Sequence, residues 1–212
     1  MARNKYPEQT VQKILAEAGE LFMKQGYDNT SLDDIAKSCG VTKGAIYHHF
    51  ASKEDLLVSM MENYETDDEW FNEIKNNSNI TAIEKLRQIF DHELSNVDKI
   101  KVDAIFQPGL KDPKILAKQL ELTIHNVAPM IEDLLYEGLK DGSIKVDQPK
   151  QVAEMMVILI NIWINPGVFS STKDETIDKV RFLNNLLIKL GIDIFSNNLD
   201  KLMENYWNEL KK

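Results

Sequence analysis

The chain has 212 residues, 43% of them hydrophobic and 28% charged, with a net charge of −9. That is enough apolar side chain for one large or two small globular domains, and it excludes a disordered or fibrous polymer. A lone cysteine excludes an intrachain disulfide and suits a reducing compartment, while six prolines and nine glycines leave room for long helices.

Helix one is predicted over 8–25, where Val11, Ile14, Leu15, Ala18, Leu21 and Phe22 recur at helical spacing and Gly26 ends the pattern. Ser31 can cap a second helix over 32–38, with Asp33 and Asp34 in the first turn at the positive end of its dipole. Gly40 stands where a left-handed backbone is wanted, and Val41 fills the angle between helices. Thr42 caps a third helix over 43–50, whose Ile46 faces back onto Ala36 and Val41. Two short helices around a tight glycine turn make a helix-turn-helix, the device that sets a recognition helix in the major groove.

Lys43, Gly44, Ala45, Tyr47 and His48 are left on the outer surface. Lysine can meet a phosphate or a guanine edge. The two small residues allow close backbone approach, and tyrosine offers a ring and a hydroxyl to a thymine methyl or a phosphate. Ser52 caps the next helix with Asp55 three residues on, which sets Lys53 beside the recognition helix as a phosphate partner. Thr30 and Ser31 are suited to phosphate hydrogen bonds at the start of the second helix.

Gly26-Tyr27, Thr30-Ser31, Asp34-Ile35-Ala36, Gly40-Val41-Thr42-Lys43-Gly44, Ile46-Tyr47-His48-His49-Phe50 and Ser52-Lys53-Glu54 together resemble the signature of TetR-type transcriptional regulators, over about the first 57 residues. Ser31 stands where Thr is usual and Cys39 where Ala is usual. The resemblance implies an all-α fold: a three-helix DNA-binding head, then a larger helical domain that binds a ligand and dimerises. It also implies Thr30, Thr42, Lys43, Gly44, Tyr47, His48 and Lys53 at the DNA. The expected division is 1–52 and 53–212.

Past the head, helix four is predicted from 53 into the 70s, with Leu56, Leu57, Met60, Met61 and Tyr64 on one face, followed by the acidic Glu65, Asp67, Asp68 and Glu69. Thr81 and Glu84 form a capping box for the next helix, and a shorter one spans about 98–106. Asp112-Pro113 opens a long helix to about 140, ended by Asp141-Gly142. Residues 143–146 are the only strand candidate. Further helices are expected to about 163 after Pro149, over about 173–190, and over about 198–210.

Two of these, 152–163 and 177–190, are apolar most of the way round and need cover on both sides. One side is read as the domain's own core and the other as a second subunit, with Met156, Ile160, Val180, Leu183, Leu187 and Leu190 at the interface. Trp70, Phe71, Phe90, His92, Phe106, His125, Met130, Tyr136 and Trp163 are candidates for a pocket taking a largely apolar ligand with a few polar anchors.

Residues 1–50 carry six basic and six acidic side chains, so all the excess acid lies outside the head. A neutral head implies modest non-specific affinity, and an acidic body repels DNA from the wrong face. His48 and His49 are adjacent rather than one turn apart and Cys39 has no cysteine partner, so neither metal nor cofactor is expected. The chain contains no phosphate-cradling glycine loop and no nucleophile elbow. The N-terminal residues lack an apolar run, and the stretch 155–164, interrupted by Asn161, is too short to span a membrane.

The reading is therefore a cytoplasmic, homodimeric, ligand-responsive regulator that is not an enzyme. It acts as a repressor, released from a palindromic operator in double-stranded DNA by a small effector. The alternative is a helical binding protein or enzyme with a vestigial head.

Overall fold

The computed structural model describes residues 7–64, 69–195 and 199–210, all in helices, turns and extended connections with no strand among them. The head is α1 (Pro7–Gln25), α2 (Leu32–Cys39) and α3 (Lys43–His49). Local chemistry bounds each helix. Ser31 and Asp34 close a reciprocal capping box at α2, and Gly40 adopts φ 67°, from which its N–H reaches the carbonyls of Ala36 and Lys37. Thr42 Oγ1 accepts from the Ala45 N–H at the start of α3. The apolar stripe of α1 is buried at Ile14, Leu15, Ala18 and Phe22 against Ile35, Ala36 and Ile46.

The next elements are α4 (Lys53–Tyr64) and α5 (Glu69–Asn76), both within the span expected of helix four. The acidic residues 65–68 lie outside the described residues. The body continues with α6 (Ala82–Ser95), α7 (Val97–Phe106), a 3₁₀ turn (Gln107–Lys111) and α8 (Pro113–Leu122). A π-helical turn (Thr123–Val127) then leads into α9 (Ala128–Asp141). After α10 (Pro149–Ile158) comes a second π-turn (Leu159–Trp163), then α11 (Lys173–Lys189) and α12 (Leu199–Leu210). Residues 143–146 form no strand. They run as a connection whose Ile144 N–H donates to the Gly138 carbonyl, and Ile144 and Val146 are buried against the body.

Apolar packing falls into two large cores. The first joins the head to Leu56, Leu57 and Met61 of α4 and then to Ile105, Leu110, Ile115 and Leu122. The second gathers Leu86 and Ile89 of α6, Ile131, Leu134 and Leu135 of α9, Ala153 and Met156 of α10, and Leu183 and Leu187 of α11. A small third core of Ile177, Val180, Leu199 and Met203 holds α12. The division expected at 52/53 thus falls at the first turn of α4, a helix whose buried side chains belong to the head's core.

Close approach tightens that junction. A Cβ on Gly109 would lie 2.5 Å from Leu57 Cδ2 and 2.9 Å from Ile115 Cδ1, so only glycine lets the 3₁₀ turn lie against α4. Ion pairs from Lys114 to Asp55 and from Lys118 to Glu62 (2.8 Å) join α8 to α4 along the rim.

Candidate nucleic-acid interface

The recognition surface follows from how α3 is pinned. Ile46 is 0% exposed, so one face of a seven-residue helix is fixed in the core and the opposite face must point out. Lys43, Gly44, Tyr47 and His48 lie exposed on it, with Thr42 at its cap and Ala45 half-buried. Beside this row runs an open crevice of about 380 Å³, walled by Thr30, Ser31, Tyr47, Ser52 and Lys53. Two of its walls are helix starts, where backbone N–H groups favour an anion.

Most of the basic and polar groups are held before any ligand arrives. Lys43 Nζ is 2.6 Å from Asp33 Oδ2 on the neighbouring helix, and that carboxylate pushes the lysine pKa up. Lys53 Nζ donates to the Tyr27 carbonyl at 2.6 Å and sits 4.1 Å from the Tyr27 ring centroid. An ammonium has three donors, so two remain for a phosphate. Burial, followed by the Glu54 carboxylate, raises the Tyr27 phenol above its ordinary range, and it stays neutral and donates to Glu54 at 3.3 Å. Neither role, that of Tyr27 under Lys53 or of Asp33 beside Lys43, shows in the sequence. Their partners lie 26 and 10 residues away, beyond the reach of any periodicity.

Ser31 is exposed and its hydroxyl donates to Asp34 at 2.5 Å. Thr30 departs from expectation. It is 2% exposed and its Oγ1 donates to the Gly26 carbonyl at 2.8 Å, so its one hydroxyl proton ties off the end of α1 and is not free for a phosphate. Cys39 closes α2 as a buried residue. Burial, with Glu17 adding to it and Lys13 opposing, raises its thiol pKa.

Of the residues expected to line one ligand pocket, Trp70, Phe71, Phe90, His92 and Met130 gather at the body core, while Phe106, His125, Tyr136 and Trp163 lie apart from them. Trp70 stacks on His92 at 3.9 Å, and Phe71, Phe90 and Met130 pack against the body core. Phe106 packs against the head core, His125 and Tyr136 are exposed, and Trp163 meets Phe182 edge-on at 5.9 Å. Within this set His92 stands out. Asn96 Oδ1 is engaged as the cap of α7, so its amide N–H₂ must face His92 Nε2 at 2.7 Å. That makes Nε2 the acceptor and leaves a proton on Nδ1, which is buried without a partner.

The interface set also needs correction. Met156, Leu183 and Leu187 are 0% exposed and Val180 4%, all inside the single chain, so they cannot meet a second one. Ile160 and Leu190 are half-buried against the body core. α11 instead exposes Phe182 (59%) and Ile188 (49%), with Phe169 nearby on the preceding turn. Large apolar side chains thus stand on both its inward and its outward side, and residue type alone does not tell them apart.

Among the described residues no helix is long and apolar enough to cross a membrane.

Residues 14–60, the segment that builds this head and the start of α4, match the family described as bacterial regulatory proteins, tetR family. Over a longer span the chain is 24% identical, across 189 residues, to the biofilm operon icaADBC HTH-type negative transcriptional regulator IcaR of Staphylococcus epidermidis, covering 84% of this chain and 98% of that protein. A TetR-family transcriptional regulator from Pectobacterium atrosepticum shares the fold with a TM-score of 0.63 at 20% identity, over 90% of this chain and 98% of that one. So does FadR of Bacillus subtilis, solved in complex with stearoyl-CoA, with a TM-score of 0.58 at 23% identity over 92% and 96%. The capped helices, glycine turn and outward recognition row all lie within the segment that matches the tetR family of bacterial regulatory proteins.

Proposed function

We propose that this protein is a homodimeric transcriptional repressor that reads a palindromic operator through α3 and is released by a small, largely apolar effector. The observation that carries the reading is the pinned recognition helix. Buried Ile46 turns Lys43, Gly44, Tyr47 and His48 outward beside a crevice with Ser31, Ser52 and Lys53 on its walls. Tyr47, Lys43 and His48 face bases, and Thr42 and Lys53 bind the phosphates that set the register, while the donors of Ser31 stay with Asp34. Thr30 supports them from beneath.

One such head reads few base pairs, and a two-fold pair reads two half-sites about 34–36 Å apart or a multiple of that. The dimer uses the outward side of α11 and of the π-turn that follows α10, through Phe182, Ile188 and the half-exposed Trp163. For the effector, the named relative that holds stearoyl-CoA and the unpartnered Nδ1–H of His92 beside Trp70 both favour an apolar molecule carrying a hydrogen-bond acceptor. The effector acts by preferring a body conformation in which the heads no longer match the half-sites.

The test is selection of duplexes from a random-sequence pool by the full-length protein, followed by titration of the winning duplex. A palindromic consensus is expected, and Tyr47→Ala should lose about 1–3 kcal/mol of affinity for it. Failure to enrich any sequence, or full affinity in Tyr47→Ala, would show that α3 is not the reading element.

A further inference from the structure

One helix crosses from one large core to the other and interrupts its α-helical hydrogen bonding at the crossing, and a second helix ends in a like interruption beside it. In the first, Ile115 and Leu122 of α8 belong to the head's core, whereas Ala128, Ile131, Leu134 and Leu135 of α9 belong to the body's. The π-turn 123–127 lies between them, marked by the bond from the Ala128 N–H to the Thr123 carbonyl, five residues back. In the second, Val152, Ala153, Met156 and Val157 of α10 lie in the body core, Leu159, Ile160 and Ile164 still pack on it, and the chain reaches the head's core only at Val168, beyond the helix. The π-turn 159–163 closes that helix on the body side, with Ile164 N–H donating to the Leu159 carbonyl at 2.8 Å.

The two interruptions touch. Asn161, the polar residue that breaks the apolar run 155–164, donates its Nδ2–H to Thr123 Oγ1 at 3.3 Å, and Gln119 Nε2 approaches the same oxygen at 3.5 Å. Thr123 is 0% exposed, so this is a polar contact inside the protein where both neighbours are cores of hydrocarbon. A π-turn is a single residue added to an α-helix, with a wider turn and poorer hydrogen bonds than the segments it joins. A rod so interrupted bends there first.

We propose that the paired π-turns are the hinge on which the head-bearing core turns against the body core, with the Asn161–Thr123 hydrogen bond as its latch. The unit that moves with the DNA-reading helix is then larger than the head. It includes α4, the end of α7, the 3₁₀ turn and α8, fastened by Gly109 against Leu57 and by the ion pairs of Lys114 and Lys118. An effector in the body would change the head angle by favouring one setting of this hinge. That regulatory meaning rests on the DNA-binding reading above, whereas the hinge itself does not.

Amide hydrogen exchange of the full-length protein tests it. Leu57→Ala weakens the head core alone, so amides in the head and in α8 should exchange about a hundredfold faster while those of 131–141 keep wild-type rates. Ile14→Val gives the same pattern more weakly should Leu57→Ala not fold. Deleting His125, exposed in the first π-turn, restores an unbroken α-helix without changing which faces meet the two cores, and in that background the acceleration should run on into α9. Acceleration reaching 131–141 in Leu57→Ala without the deletion would overturn the proposal, because the helix would then move as one rod.

A second arm uses the selected duplex. It should slow exchange at 123–127 and 159–163 in the wild type, and Thr123→Val should bind it several-fold more weakly with an unchanged salt slope, no phosphate contact being lost. Tight duplex binding with no change in either π-turn would detach the hinge from DNA reading. If no duplex is selected, the DNA reading falls, and the exchange boundary still decides the hinge.

Discussion

Phe182 on α11 offers the sharpest test of assembly. It is 59% exposed in the single chain, with Trp163 against one edge. Burying a whole phenylalanine side chain is worth roughly 1.5–3 kcal/mol, so covering the part still exposed should contribute about 1–2 kcal/mol. A two-fold interface uses the residue twice, which makes about 2–4 kcal/mol per dimer, or roughly 30-fold to nearly 1,000-fold in the dissociation constant. Phe182→Ala should therefore dissociate on dilution in sedimentation velocity at concentrations where the wild type stays dimeric, with the melting temperature of its monomer equal to that of the fully diluted wild type.

Leu187→Ala is the control. Leu187 is 0% exposed within the chain, so its truncation should cost roughly 2–5 kcal/mol of folding stability. That lowers the melting temperature by about 4–20 °C in a chain of this size, and the surviving folded protein should remain dimeric. Loss of the dimer in Leu187→Ala at full thermal stability, or an unaltered dissociation constant in Phe182→Ala, would refute the assignment of the outward face.

Three further outcomes follow from the head and the helix caps. Lys53→Ala should lower the slope of log affinity against log salt by about one unit and also lower the melting temperature, since the same ammonium ties down the Tyr27 carbonyl; an unchanged slope removes Lys53 from the phosphate contacts. Cys39, buried and with its thiol pKa raised, should react with a disulfide reagent at pH 8 far more slowly in the native protein than in denaturant, and rapid native reaction would show the thiol open to redox chemistry.

The last outcome concerns acid. Hydrogen bonds from Ser31, Thr81 and Thr172 hold the carboxyls of Asp34, Glu84 and Glu175 below their ordinary range. A depressed folded pKa stabilises above the unfolded value of about 4 and is lost as pH falls through the folded one. The melting temperature should drop on acidification below about pH 4, and by less in Thr172→Ala. An equal drop in that variant would deny the capping box its share.

What the sequence by itself determined is what neighbours in the chain decide. Ser31, Gly40 and Thr42 bound the helices of the head because a cap or a left-handed turn acts within four residues, and Ile46 orients α3 because helical period alone sets the opposite face outward. The capping box at Thr81 and the breaks at Pro113, Gly142 and Pro149 are legible for the same reason. Tertiary structure alone decided the rest. On α11, residue type does not distinguish Leu187 from Phe182, and only packing against α9 and α10 turns one inward. The Asp33–Lys43 and Tyr27–Lys53 pairs depend on how separate segments cross. Thr30 is spoken for by the end of a helix four residues earlier, which only the turn geometry reveals. The π-turns leave almost no trace in a periodic pattern, since one added residue shifts the apolar stripe by about 100° and both flanking stripes remain apolar. Their meaning depends on two cores that the linear sequence does not separate.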